Sequence, residues 1–144
     1  MIEQDTVRLL RECDAGVKMG VSALEEVLPH VTDPALEEKL KNSKAEHEKL
    51  DGQLQRLLTQ CQDEGKDPNP MAKGMSWLKT NAMLAMKDSD QTIADLITDG
   101  CNMGVKSLHK YLNEYKAASD AAKGIAKDLI DLEQRLTLDV RMYL

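Results

Sequence analysis

Four stretches of this chain repeat apolar side chains at alternating steps of four and three, a period that fits amphipathic helices and no strand. In the first, Leu10, Asp14, Val17, Val21, Leu24 and Leu28 form a seam between about Val7 and Leu28. Pro29 cannot continue a helix, and Asp33-Pro34 offers an N-cap followed by proline at the first helical position. The second helix therefore starts near Pro34 and carries Leu36, Leu40, Ser43, His47, Leu50, Leu54, Leu57 and Cys61 to about Asp63. Turn residues from Gly65 to Pro70 then break the pattern. Ser89 caps a third helix with Ile93, Ile97, Gly100, Cys101, Gly104, Leu108, Tyr111 and Tyr115 on or near one face. Ser119 caps a fourth, whose seam of Ala122, Ile125, Leu129, Leu132, Leu136, Val140 and Tyr143 runs to the last residues. Four such helices predict an all-α four-helix bundle.

Composition agrees. The chain has no Phe, one Trp and three Tyr among 144 residues, too few aromatics for a sheet-based core, and its length suits a single domain over 1–144. A formal charge of -6 with no basic stripe argues against a nucleic-acid partner held through its phosphates. The opening residues, MIEQDTVRLLRECD, lack the apolar core of a signal peptide, and no apolar run approaches a membrane span. Cys13, Cys61 and Cys101 show no C-x-x-C spacing, which fits reduced thiols in a cytoplasm.

The stretch from Met71 to Met86 reads as a further short helix. A tight hairpin between helices two and three would not need it. A chain returning along the bundle would, so the expected course is up-down-down-up with one long helical crossover. Met71, Met75, Trp77 and Met83 make that segment more apolar than docking on a bundle requires. One face could cover the core, or the surplus could form a homodimer interface or a partner groove.

Self-comparison adds an internal duplication. Met19-Gly20-Val21 recurs as Met103-Gly104-Val105, an offset of 84 positions that also aligns Gly16 with Gly100 and Leu24 with Leu108. Each copy carries a G-x-x-x-G pair, Gly16/Gly20 and Gly100/Gly104. Glycine costs about 1 kcal/mol relative to alanine inside a helix, so matched pairs call for a reason. Close contact between helices one and three is one reading; a ligand groove is the other.

This pattern of two hairpins joined by a long crossover resembles the ferritin-like superfamily. Lys66-Asp67-Pro68-Asn69-Pro70, Met75-Ser76-Trp77-Leu78-Lys79-Thr80-Asn81 and the run Asp99 to Leu108 are similar to a branch of short bacterial proteins of unknown function within it. The resemblance implies the fold and departs at the metal. Ferritin-like di-iron proteins place Glu-x-x-His pairs on two helices, but Lys44 stands three residues before His47, and the fourth helix has no histidine.

Counting from hairpin turns near Val31 and Ala117 puts Asp14, His47, Asp99 and Glu133 at one mid-bundle level. Such a layer could hold a divalent metal ion. The competing reading is a buried Asp14–His47 hydrogen-bonded pair, with Asp99 and Glu133 tilted to the surface. No phosphate-binding loop or activated thiol stands out, and the sequence does not name a small-molecule ligand. The expected role is that of a non-enzymatic interaction or self-association protein. A metal-binding or redox protein built on the polar layer is the alternative.

Overall fold

The computed structural model describes residues 3–61, 63, 65, 66, 84 and 87–144. Four long helices account for most of them: α1 (Gln4–Val27), α2 (Pro34–Gln60), α3 (Asp90–Glu114) and α4 (Asp120–Val140). Single 3-10 turns follow α1 at Leu28–His30 and α4 at Arg141–Tyr143. The first begins where Pro29 removes a donor from the ladder, and the second ends α4 short of the expected finish at the chain end. No strand occurs among the described residues, and none of their helices is long and apolar enough to cross a membrane.

The three caps read from sequence all form. Asp33 accepts from the amides of Ala35 (2.7 Å) and Leu36 (3.1 Å), Ser89 from that of Thr92 (3.2 Å), and Ser119 from that of Ala122 (3.2 Å). Each supplies an acceptor to a first-turn amide with no partner in its own helix.

Pairings between helices fix their directions. Lys39 donates to the Asp139 carbonyl, Arg135 meets Glu46, and His47 meets Glu133, so α2 and α4 run antiparallel. The amides of Ala117 and Ser119 donate to Asp5 and Thr6, and Gly16 lies against Leu129, so α1 and α4 run parallel. The start of α3 is tied to the turn between α1 and α2, where Asp90 accepts from the Thr32 amide (2.9 Å), the Thr32 hydroxyl (2.8 Å) and the Asp33 amide (3.0 Å). The segment Met71–Met83, including Met71, Met75, Trp77 and Met83, lies outside the described residues. Leu84 is buried beside Ile93 and Ile97.

All four helices contribute to each of two apolar clusters. One holds Leu9, Leu10, Val17, Leu54, Leu58, Leu108 and Leu129; the other holds Leu24, Val27, Leu36, Leu40, Ile93, Ile97, Leu136 and Val140. Between them the four helices place Gly20, His47, Gly104 and Glu133 at one level.

Candidate functional site

His47 is the centre of this dividing layer. Its side chain is almost fully buried, as the α2 seam demands, and both ring nitrogens have oxygen partners. Nε2 lies 2.8 Å from Glu133 Oε1, and Nδ1 lies 2.8 Å from the Ser43 carbonyl one turn earlier. The Ser43 carbonyl can only accept, so Nδ1 donates to it; opposite a Glu133 carboxylate Nε2 donates too, an arrangement that favours the imidazolium. Burial works against that charge. The hydrogen bond and charge of Glu133, helped by the Ser43 carbonyl and Glu46, outweigh it and raise the His47 pKa above the ordinary histidine value.

Two glycines make room for the pair. A Cβ at Gly20 would stand 2.9 Å from both Cδ2 and Nε2 of His47, closer than packed atoms approach. A Cβ at Gly104 would lie 3.6 Å from Glu133 Oε2, ordinary contact. The helical close contact expected of the G-x-x-x-G pairs therefore takes another form: Gly20 and Gly104 face side chains from α2 and α4. Gly16 meets only a Leu129 methyl group at 3.7 Å, and a Cβ at Gly100 would meet nothing within 4 Å.

The four expected metal ligands do not share one layer. Asp14 is fully buried but belongs to a different level, where it accepts from Gln55 Nε2 (2.8 Å), Lys18 Nζ (2.9 Å) and the Lys66 amide (3.0 Å). Gly65, at a φ of 88°, lets the chain pass so close that any side chain there would collide with the Asp14 carboxylate. Asp51 stands beside this cluster. Its pKa is raised by burial, against the Gln55 hydrogen bond and together with the Asp14 carboxylate. Asp99 is exposed on α3. The buried pair that forms is His47 with Glu133, not Asp14 with His47.

The displacement has a geometric cause. The connection from Leu28 to Asp33 is a 3-10 turn followed by extended residues, so α1 and α2 mirror each other about Asp33-Pro34 rather than Val31. Gly20, not Asp14, then faces His47. A displacement of five positions in the second hairpin likewise brings Gly104, not Asp99, to Glu133. One sequence signal for this pairing was present: His47 and Glu133 stand at the same remove from their N-caps, Asp33 and Ser119.

The two buried thiols, Cys13 and Cys101, are quiet. Burial, with the charges of Glu12 and Asp14, pushes Cys13 up to about 12. Burial and a hydrogen-bonded Glu133 push Cys101 far up as well. Both stay protonated at neutral pH, and a protonated thiol is a poor nucleophile. Among the described residues, no three His, Cys, Asp or Glu side chains are placed to hold a metal ion. No protein-family model matches the chain, and neither a curated protein nor a solved structure matches it significantly.

Proposed function

We propose that the protein is a non-enzymatic interaction protein of the cytoplasm, a single ferritin-like bundle of up-down-down-up course that works through self-association. One contrast carries the reading. The buried charged side chains, Asp14, His47 and Glu133, are each committed to partners inside the protein, while Met103, Leu138 and Met142 are 69%, 56% and 74% exposed. Polar chemistry is spent on the interior, and large apolar groups face outward. The antiparallel α2–α4 pair and the parallel α1–α4 pair support the ferritin-like course. The free cysteines suit a reducing compartment.

Sedimentation velocity over a micromolar concentration series tests the role. The expected result is a dimer that grows with concentration; a strict monomer at high micromolar concentration overturns it. The second reading, a metal-binding or redox protein, draws on the buried His47–Glu133 pair alone, since no three ligating side chains converge among the described residues. Elemental analysis decides it: stoichiometric metal in the purified protein, lost in His47→Ala, would replace the first reading with the second.

A further inference from the structure

Three parts of the chain meet at the fully buried carboxylate of Asp14. Gln55 of α2 donates to it (2.8 Å), Lys18 of α1 donates to it (2.9 Å), and so does the amide of Lys66, beyond the end of α2 (3.0 Å). The last of these is a catch that fastens the chain leaving α2 onto α1. Gly65, at a φ of 88°, takes the left-handed step that brings the Lys66 amide within reach. Asp63 steadies that step by accepting from the Gly65 amide (2.8 Å). A second point holds the same residue, where Lys66 Nζ meets Glu12 at 2.6 Å.

Asp51 makes this catch adjustable. The Gln55 Nε2 that serves Asp14 also reaches Asp51 Oδ1 (3.3 Å), so one side-chain amide spans carboxyl groups from α1 and α2. The two carboxyl groups are themselves within hydrogen-bonding reach. Two ionised carboxylates in contact repel, whereas a protonated one donates to the other. Asp14 already accepts from three donors, one of them a cation, which leaves the half-buried Asp51 to carry the shared proton. We infer that Asp51 is a proton-operated setting for the catch: protonated, it donates to Asp14 and tightens the seat of Lys66; ionised, it pushes Asp14 away and loosens it. Among the described residues, the charged groups acting on Asp51 are Asp14 and Lys18, both from α1, while Glu12 faces Lys66 and Asp63 faces Arg11. Burial raises the Asp51 pKa; the Gln55 hydrogen bond and the Lys18 charge oppose the rise, and Asp14 adds to it. The repulsion is therefore absent below the ordinary aspartate value of ~3.9 and complete above the raised one, so the catch tightens as pH falls.

The test is hydrogen exchange at the Lys66 amide of the full chain, read by NMR as protection relative to an unstructured peptide at the same pH. In wild type, protection should be about threefold or more greater at pH ~5 than at pH ~7.5. Asp51→Asn places a permanent donor beside Asp14 and should show the acid-side protection at every pH. His47 also titrates in this range, but it does so in both proteins, so the difference between their profiles isolates Asp51. Gly65→Ala, whose methyl group collides with the Asp14 carboxylate, should lose Lys66 protection at every pH while the middle of α2 stays protected. Equal slopes in wild type and Asp51→Asn overturn the proton setting. A Lys66 amide as well protected in Gly65→Ala as in wild type overturns the catch itself.

Discussion

At the scale of single residues, the buried His47–Glu133 pair makes the strongest claims. Removing one partner of such a pair leaves the other charge buried, a loss of about 3–5 kcal/mol. His47→Ala should approach that figure in urea titrations. The pair also sets a pH signature. The folded-state pKa of His47 is raised, so its contribution is complete below the ordinary histidine value of ~6.5 and is lost as pH climbs through the folded value. The stability difference between wild type and His47→Gln should therefore be largest in mild acid and shrink on the alkaline side. Parallel stability curves across that range would show that the ring carries no charge. The glycines beside the pair divide in the same way. Gly100→Ala meets open space and should stabilise by up to about 1 kcal/mol through helix propensity alone. Gly20→Ala drives a methyl group into a ring pinned at both nitrogens and should destabilise by about 1–3 kcal/mol. Equal melting temperatures for the two variants would sink this account of why the repeat keeps glycine.

Between elements, the two hairpins are tied at both ends by the same device used twice. Asp90, at the start of α3, holds the turn between α1 and α2; Asp5 and Thr6, at the start of α1, hold the turn between α3 and α4. Thr6 and Asp90 are separated by the offset of the internal repeat. Desolvation works against the Asp90 charge, but the Thr32 amide and hydroxyl and the Asp33 amide overcome it and lower its pKa. That contribution is present above the ordinary aspartate value of ~3.9 and fades as pH falls through the lower folded value. Asp90→Ala should cost about 1–2 kcal/mol at neutral pH through lost hydrogen bonds. Amide exchange at Thr32 and Asp33 should quicken while the middle of α2 stays protected; exchange rates unchanged at those two amides would refute the tie. The helix caps behind these ties were legible in sequence, because Asp33-Pro34, Ser89 and Ser119 act on amides two or three residues away. The ties themselves were not, since they join side chains to turn amides of the other hairpin. A single seam also understated the core: Leu9, Cys13, Leu58, Ala126 and Ile130 are buried beside it, as expected for helices with neighbours on two sides.

Across the whole molecule, the fold class followed from periodicity, whereas the composition of the polar layer depended on register, which a short turn can shift by more than a helical turn. Asp14 and Asp99 fell out of the layer for that reason, and two glycines took their places. What emerges is a bundle whose two halves are nearly equivalent but not interchangeable. His47 and Glu133 occupy matching positions in the two hairpins and meet each other, so a symmetric assembly of two identical hairpins would set His against His or Glu against Glu. Two buried like charges cannot both ionise at close range. The unlike pair thus favours the first hairpin with the second over either hairpin with itself, a use of buried charge for specificity rather than net stability. This can be tested by exchange. His47→Glu sets two carboxylates face to face and should destabilise by about 3 kcal/mol or more. Glu133→His sets two imidazoles together and should also lose stability, most of all below pH ~6.5. The double variant His47→Glu/Glu133→His restores an unlike pair between the same two helices. Urea midpoints across this cycle should show strong coupling, with the double variant more stable than either single one. If the double variant is as unstable as the sum of the two, the pair is held by its particular surroundings, Gly20 and the Ser43 carbonyl above all, and the equivalence of the hairpins plays no part in choosing how they assemble.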